Sequence, residues 1–304
     1  MAEFVLEASD LTKRYGAAIG LEGLTLTLAR GEVFGFLGPN GAGKTTTIRL
    51  LLDLIRPTRG GARLFGLPAR DPRARARVGY LPDVVALDGR FTGRETLAFF
   101  DTLRPKGASP SIPGRRDEIC ERLGLSARDL DRLVRDDSRG TRQKIGLAAA
   151  FQHDPDLLVL DEPTTSLDPL TREAVFDLLR GAGRAGRTVF HSSHVLSEVD
   201  RTCTRVGIVR EGRLVALDTI DAMRRHSVRR MVVVFGSAVP AEDLALPGVE
   251  IVERDAHRAV LKVSGEPDAL LKALARHTVR DLAFPESDLE ESFAAFYRGP
   301  RVER

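Results

Sequence analysis

The sequence predicts an α/β fold, with a parallel sheet in the first two-thirds of the chain and a small α/β domain after it. Three observations lead to this prediction. Short apolar runs alternate with segments of helical apolar spacing, a glycine-rich turn separates one such run from the next helix, and the pattern changes near Thr219–Arg230. The predicted domains are residues 1–220, a linker at 221–230 and an accessory domain at 231–304.

The first elements predicted are two strands of an opening antiparallel sheet, Phe4–Glu7 and Leu24–Leu28. Glu32–Leu37 is rich in aromatic and apolar residues and is predicted as a strand that runs into the glycine-rich turn. Thr45–Ile55 has helical apolar spacing, and the helix is expected to end at Pro57, because proline cannot continue it.

The middle of the chain is predicted to hold an inserted, mostly helical subdomain at about residues 85–152. Its predicted helices are Phe91–Leu103, Arg115–Leu123 and Ser138–Gln152, and its loop is Pro105–Gly114. Leu157–Leu160 and Thr188–Ser192 are fully apolar or β-rich runs, so they are predicted as buried parallel strands on either side of the helix Leu170–Ala182.

The accessory domain is predicted as a mixture of strands and helices. Its predicted elements are the strand Met231–Phe235, a hairpin across Val249–Val252 and Ala259–Val263, the helix Pro267–His277, the strand Val279–Ala283 and the helix Leu289–Tyr297.

Composition limits the class of protein. The 304 residues are 42% hydrophobic and 29% charged, no apolar run approaches the ~20 residues of a membrane-spanning helix, and the first residues lack the pattern of a signal peptide. Only Cys120 and Cys203 occur, without metal-ligand spacing, which is typical of a reducing compartment. The net charge is +3, and the arginine clusters at 70–77 and 224–230 are interpreted as solvated surface. We therefore expect a cytoplasmic protein with no specific nucleic-acid partner.

The strongest motif is a glycine-rich string placed between a predicted strand and a predicted helix. Its spacing is G-x-x-x-x-G-K-[ST], in which backbone N–H groups line a concave surface that binds phosphate oxygens. The lysine is expected to contact the β- and γ-phosphates, and Thr45 is expected to offer a hydroxyl to Mg²⁺. The predicted nucleotide-binding residues are Gly38, Pro39, Asn40, Gly41, Ala42, Gly43, Lys44, Thr45 and Thr46. The motif predicts a P-loop NTPase fold with a RecA-like sheet.

Two carboxylates follow the predicted strand Leu157–Leu160. A buried parallel strand delivers its carboxyl end to the same sheet edge as the phosphate loop, so Asp161 is predicted to hold Mg²⁺ and Glu162 to polarise the attacking water. Adjacent carboxylates more often form a solvated turn. Here the apolar strand before them and Pro163 after them favour the catalytic interpretation.

Further motifs identify a family. Between the phosphate loop and the carboxylates lies the octapeptide Asp137–Lys144, in which Ser138 is a good N-cap and Gly140 allows a phosphate to approach a helix start. Ser166-Leu167-Asp168 follows the carboxylates, and His194 follows the next strand. With Tyr15 near the start of the chain, this arrangement resembles the ATP-binding-cassette (ABC) proteins.

The resemblance implies an ATPase that uses Mg²⁺ and pairs head to tail with a second copy or a related cassette. Each ATP would contact Ser138 and Gly140 in trans, Tyr15 would stack on adenine, and His194 would assist Glu162. The chain would act at the cytoplasmic face of the cell membrane with an integral-membrane permease.

The sequence departs from the family pattern at two places. Asp83 stands where Gln or Glu is usual; it is still assigned a catalytic and metal-binding role, with shorter reach. Asp137, Arg139 and Thr141 replace common signature residues, and we expect the Asp137 side chain to point away from the phosphate site. ATP hydrolysis is expected to survive because Lys44 and the other motif residues are intact.

The accessory domain and the signature also resemble subunits of bacterial drug and ion exporters that work with a separate permease. Two alternatives stay open: a hydrolysis-impaired cassette of a heterodimer, and an ABC ATPase without a transport role. The cargo is chosen in the permease, so the sequence does not name it.

Overall fold

In the computed structural model, the described residues are 4–103, 112, 114–225 and 228–284. The chain divides into two compact units, Met1–Leu217 and Asp218–Arg304. The predicted boundary at 220 lies three residues beyond this division. Within the predicted linker, a strand already begins at Val228, because the residues from 228 to 230 pair with the strand at Arg258–Ser264.

The first unit contains two sheets. Its strands are β1 (Phe4–Tyr15), β2 (Ala18–Ala29), β3 (Val33–Leu37), β4 (Arg59–Leu64), β5 (Leu67–Pro68), β6 (Val78–Leu81), β7 (Leu157–Leu160), β8 (Thr188–Ser193), β9 (Arg205–Arg210) and β10 (Arg213–Thr219), the last ending just past the unit. β2-β1-β4-β5 form one sheet, and β10-β9-β3-β8-β7-β6 form the other.

The helices of this unit lie between and beside the sheets. They are α1 (Lys44–Leu51), α2 (Pro72–Arg75), α3 (Gly93–Thr102), α4 (Arg115–Arg122), α5 (Ala127–Asp131), α6 (Arg139–Phe151), α7 (Pro169–Arg184) and α8 (Leu196–Thr202). One hydrophobic cluster includes Leu6 of β1, Ile48 of α1 and Phe36 of β3, so the packing of α1 joins the antiparallel sheet to the parallel one.

The opening antiparallel sheet was predicted correctly but too short. β1 and β2 pair from Phe4↔Ala29 to Tyr15↔Ala18, with several register shifts. The apolar pattern predicts only the parts of a strand that bury a face, whereas ladder hydrogen bonds extend β1 through Lys13 and Arg14. β4 was not predicted, because its glycines and arginines lack a strand pattern.

The parallel sheet positions the residues of the candidate site. β3 lies between β8 and β9, and β7 lies beside β8, all in parallel pairs. β3 and β7 are buried at every residue, in agreement with their apolar runs. Phe190 of β8 packs between Phe34 and Phe36 of β3, with ring centroids 5.6 and 5.4 Å apart.

The helical segment between β6 and β7 contains α3 to α6, close to the prediction. Thr92 caps α3, and its backbone N–H donates to the Glu95 carboxylate in return. Ser126 caps α5 in the same way with Asp129. The predicted loop Pro105–Gly114 lies largely outside the described residues.

The second unit contains α9 (Ile220–Arg225), α10 (Asp268–Leu274) and one four-stranded sheet. Its strands are β11 (Val228–Phe235), β12 (Val249–Arg254), β13 (Arg258–Ser264) and β14 (Val279–Ala283), in the order β12-β13-β11-β14. Met231, Leu261 and Leu270 belong to a separate hydrophobic core. The predicted helix Leu289–Tyr297 lies outside the described residues.

Within residues 4–103, 112, 114–225 and 228–284, the structure contains no helix with the length and apolar character needed to span a membrane.

Candidate functional site

Three neighbouring strands deliver the candidate residues to one edge of the parallel sheet. The loop after β3 begins at Gly38, the loop after β7 begins at Asp161, and the loop after β8 begins at His194. Because β3, β8 and β7 are adjacent and parallel, their carboxyl ends lie side by side.

The glycine-rich loop is shaped by close backbone contacts. Gly41 and Gly43 have φ values of 80° and 107°, a region that favours glycine. A Cβ at Gly43 would lie 2.5 Å from the Gly20 carbonyl oxygen, and one at Gly38 would lie 2.5 Å from that of Val209. These positions therefore require glycine for packing as well as for conformation.

Lys44, Glu162 and His194 form one group, joined by an ion pair and a hydrogen bond. The buried Lys44 ammonium donates to the Gly38 carbonyl oxygen at 2.6 Å and lies 3.1 Å from one Glu162 carboxylate oxygen. The other Glu162 oxygen lies 2.7 Å from Nδ1 of His194. Since an ionised carboxylate only accepts, Nδ1 carries the proton in this arrangement.

Glu162 is held in a strained backbone conformation. Its φ of 51° is left-handed, which costs a non-glycine residue about 1 kcal/mol or more. The Glu162 N–H donates to the Ser192 hydroxyl at 3.0 Å, and the Gln143 amide donates to the Glu162 and Pro163 carbonyl oxygens at 3.3 and 3.2 Å. These contacts fix the turn that aims the carboxylate.

Asp161 is fully buried, and burial raises the pKa of its carboxyl, against the opposing effect of the Ser192 and Thr45 hydroxyls. Oδ1 accepts from Ser192 at 2.6 Å, whereas Oδ2 has no partner among the described residues. A free carboxylate oxygen and a nearby hydroxyl suit Mg²⁺, which is commonly bound through one or two carboxylates plus substrate phosphates. No cluster of three acidic, histidine or cysteine ligands occurs among the described residues, so a cage built from protein alone does not form there.

The group opens into a cavity of about 470 Å³, within the range of small-molecule sites. Its lining residues are Gly20, Asn40, Gly41, Gly43, Lys44, Thr45, Thr46, Asp83, Glu162, Thr165 and His194. The predicted residues Gly38, Pro39, Ala42 and Asp161 do not line this cavity.

Tyr15 and Asp83 lie at the rim. The Tyr15 side chain is half exposed and lies beside Gly20, a residue that lines the cavity: a Cβ at Gly20 would be 2.8 Å from the Tyr15 ring. The Lys13 ammonium lies 5.2 Å from the centre of its ring. Asp83 is exposed, and it lines both the main cavity and a smaller one of about 90 Å³.

Ser138 and Gly140 do not line the cavity around Lys44 in the same chain. Ser138 caps α6 and accepts from the Thr141 N–H at 3.0 Å. A Cβ at Gly140 would lie 2.8 Å from the Ser166 carbonyl oxygen, so this glycine lets α6 pack on the loop after the carboxylates. The sequence had suggested only a phosphate as the reason for it.

Asp137 points into the protein, as expected. Its side chain is fully buried, and Oδ1 accepts from Nε of Arg132 at 3.0 Å. Burial raises the pKa of the Asp137 carboxyl, which the Arg132 guanidinium counteracts. The carboxylate therefore does not oppose an anion at the start of α6.

Four residues of the site were missed from the sequence: Gly20, Thr165, Ser192 and Gln143. Thr165 follows Glu162 by three residues, a spacing that could have pointed to it. Ser192 precedes His194 in the motif used to identify that histidine. Gly20 and Gln143 reach the site only through tertiary packing, so no local pattern marks them.

Comparison with known proteins identifies the family of this chain. The ABC transporter family profile matches residues 21–165. The chain is 37% identical over 295 residues to the Nod factor export ATP-binding protein I of Cupriavidus metallidurans, covering 95% of this chain and 96% of that protein. It is 33% identical to the daunorubicin/doxorubicin resistance ATP-binding protein of Streptomyces peucetius, covering 98% and 94% of the two chains.

Solved structures show the same fold. An ATP-binding subunit of an ABC transporter matches with a TM-score of 0.65 and 31% identity, over 73% of this chain and 92% of that one. A dimeric ATP-binding cassette bound to ADP and phosphate matches with a TM-score of 0.64 and 21% identity, over 71% and 98%. The extent of these likenesses, together with the phosphate loop and the carboxylates after β7, shows that the chain belongs to the ABC transporter family as an ATP-binding subunit.

Proposed function

We propose that this chain hydrolyses ATP with Glu162 as the residue that activates water, and that the energy drives export through a separate membrane permease. The observation that carries the proposal is the Glu162 carboxylate itself. It is held between the Lys44 ammonium and the His194 imidazole at the mouth of the phosphate loop.

In the absence of substrate, the Lys44 ammonium contacts the Glu162 carboxylate. ATP would bind by replacing this contact. The backbone N–H groups at the start of α1 have no side-chain cap, so they are available to phosphate oxygens. Lys44 would exchange its contact with Glu162 for the β- and γ-phosphates. Glu162 would then be free to orient water at the γ-phosphorus, and His194 would hold the carboxylate and the phosphate in place.

The metal would be held by Thr45 and by the free oxygen of Asp161, with Asp83 contributing through water. Mg²⁺ supplies charge neutralisation on the β- and γ-phosphate oxygens. The protein contributes position: Ser192 fixes the Asp161 carboxylate through a 2.6 Å hydrogen bond and accepts from the Glu162 N–H.

A second copy would complete the site. Ser138 and Gly140 lie outside the cavity that their own chain forms around Lys44, as residues that act in trans must. A solved cassette with the same fold is dimeric, which supports the proposal of a dimer, and a homodimer is proposed because all the motifs are present in one chain.

Export is supported by two relatives, which are named for Nod factor export and for daunorubicin/doxorubicin resistance, and a permease partner is proposed from membership of the ABC transporter family. The proposed location is the cytoplasmic face of the cell membrane. An apolar cavity of about 370 Å³ offers a surface for the permease, with Val85 and Phe100 among its lining residues. Pro82 and Val85 line this apolar cavity, and Asp83 between them lines the nucleotide cavity, so one segment links the two.

The test compares Glu162→Gln with the wild-type chain. The substitution keeps the shape of the side chain and removes the charge that polarises water. We expect turnover to fall by about 10²–10³-fold, the range for removing one electrostatic contribution in an active site, while ATP binding persists. In Mg-ATP the variant should elute as a stable dimer in size-exclusion chromatography.

The proposal would be contradicted if the Glu162→Gln variant hydrolysed ATP as fast as the wild type and stayed monomeric in Mg-ATP. Binding without turnover by the wild-type chain alone would favour the alternative, a hydrolysis-impaired cassette of a heterodimer. Adding membranes that contain the permease would then decide whether a second cassette is required for activity.

A further inference from the structure

A buried glutamate outside the nucleotide cavity connects the two loops that carry Glu162 and His194. Glu198 of α8 is 9% exposed, and one of its carboxylate oxygens accepts two hydrogen bonds. The Thr164 hydroxyl donates at 2.9 Å, and the Ser193 hydroxyl donates at 2.8 Å. Among the described residues, Glu198 forms no ion pair.

The two residues that donate to Glu198 are close in sequence to Glu162 and His194. Thr164 lies two residues after Glu162, and Ser193 directly precedes His194. Both side chains are buried, so water does not offer them an equivalent partner. Ser193 has a single hydroxyl proton, and the Glu198 carboxylate at 2.8 Å is a closer acceptor than the Val195 carbonyl oxygen at 3.3 Å.

The same serine also shapes the loop around the histidine. Its hydroxyl oxygen accepts from the Val195 N–H at 3.0 Å, which closes a short turn over His194. The proton on Ser193 therefore goes to Glu198 while its oxygen holds the loop. Removing the carboxylate would let the hydroxyl rotate toward the Val195 carbonyl and loosen this turn.

The turn after Glu162 depends on outside support because Glu162 has the strained φ of 51°. Gln143 holds the backbone carbonyls of this turn on one side. Glu198 holds the Thr164 side chain on another. Loss of either support would allow the turn to relax toward an ordinary conformation and would shift the carboxylate.

We propose that Glu198 is a positioning residue that sets the distance between the Glu162 carboxylate and the His194 imidazole. It does not line the nucleotide cavity, so it acts through Thr164 and Ser193 and leaves nucleotide binding alone. The predicted effect of Glu198 on kcat rests on the proposed ATP hydrolysis. The geometric consequence, a change in the hydrogen bond between Glu162 and His194, can be measured without turnover.

The test uses the full chain and four variants. Glu198→Ala removes the acceptor, and Thr164→Val removes one donor with little change of shape. Glu198→Gln keeps a carbonyl oxygen that accepts both bonds. The matched control is Thr202→Val in the same helix: its buried hydroxyl donates to the Glu198 backbone oxygen at 2.7 Å, so the control loosens α8 without touching the carboxylate.

We expect Glu198→Ala to lower kcat by about tenfold or more, since small misplacements of catalytic groups are costly, with ATP affinity unchanged. Thr164→Val should lower kcat in the same direction, and Glu198→Gln should restore most of it. The ¹⁵N signal of His194 Nδ1, assigned with His194→Gln, should move in Glu198→Ala toward its position in Glu162→Gln. Thr202→Val should lower Tm without either change.

The inference is overturned if Glu198→Ala and Thr202→Val lose the same activity at equal Tm and leave the His194 signal in place. Glu198 would then be structural only. If the wild-type chain shows no turnover, the proposed function fails separately. The His194 signal still decides whether Glu198 positions the pair.

Discussion

Two helix starts in this protein, those of α1 and α6, are both predicted from the sequence to approach a phosphate, and they differ in their hydrogen bonding. α1 follows Gly43, which offers no side-chain cap, so the first N–H groups of the helix are free to bind a ligand. α6 follows Ser138, whose hydroxyl accepts from the Thr141 N–H and also contacts the Thr141 hydroxyl at 2.9 Å.

The basic residues at the two helix starts also differ in burial and pairing. Lys44 at the start of α1 is buried and paired with Glu162. Arg139 at the start of α6 is exposed and has no ion pair among the described residues. The start of α1 therefore leaves backbone N–H groups open to an anion beside a buried cation, whereas the start of α6 is satisfied by its own cap.

The first prediction tests the α1 side and has the largest effect. Lys44→Ala removes the cation that pairs with Glu162 and that would meet the phosphates. We expect turnover to fall by about 10²–10³-fold, with weaker ATP binding, because a buried charge loses its partner and the phosphates lose theirs. Calorimetry of ATP binding and a phosphate-release assay measure the two effects.

The matched control is Lys272→Ala in α10, an exposed lysine paired with Asp268 at 2.7 Å. Exposed pairs contribute little, so its turnover should equal that of the wild type. Equal turnover in Lys44→Ala and the control would show that the buried pair has no part in the reaction.

The second prediction tests the α6 side. Gly140→Ala places a Cβ 2.8 Å from the Ser166 carbonyl oxygen, so the start of α6 or the loop after the carboxylates must shift. We expect turnover to fall by about tenfold, with ATP binding to the monomer little changed, because the shift would misplace the start of α6 and the loop after the carboxylates while the phosphate loop stays in place. Equilibrium binding and turnover of the same preparation measure the difference.

Gly181→Ala is the control for a glycine in a helix. Nothing lies within 4 Å of its added Cβ, so the change should raise stability by about 0.5–1 kcal/mol and leave turnover alone. A Gly140→Ala variant with full turnover would mean that the packing of α6 on Ser166 does not matter for the reaction.

The third prediction concerns stability and is the smallest effect. Burial raises the pKa of Asp161, so the folded chain binds a proton more tightly than an unfolded aspartate does. Stability from this group is therefore lost as pH rises above the usual aspartate pKa of about 4. Asp161→Asn should raise Tm in the absence of Mg-ATP, by about 2–4 °C for ~1 kcal/mol.

The pH dependence provides its control. The gain in Tm from Asp161→Asn should shrink as the pH is lowered, since the raised pKa lets the folded wild-type carboxyl take up a proton, and lose its buried charge, at a higher pH than an unfolded aspartate does. Mg-ATP should stabilise the wild type more than the variant in a thermal shift assay. If Asp161→Asn had a lower Tm than the wild type at pH 8, burial of the ionised Asp161 carboxylate would not be destabilising, and the prediction would be wrong.

Much of the fold was predictable because its signals are local. The apolar runs of β7 and β8, the helical spacing of α7 and the glycine spacing of 38–45 each reflect residues within one element. The same holds for Lys44, Glu162 and His194, whose positions after three predicted parallel strands place them at one sheet edge. Their mutual contacts agree with that placement.

Other features depended on contacts between distant parts of the chain. The strand β4, the reason for Gly140 and the roles of Gln143 and Glu198 each involve a partner 19 to 58 residues away. By itself the sequence determined which residue types meet the phosphates, because phosphate chemistry requires a fixed local spacing. Only the tertiary structure decided what holds those residues in place. A buried side chain is held by contacts between elements that are distant in sequence, and such contacts produce no periodic pattern in either segment.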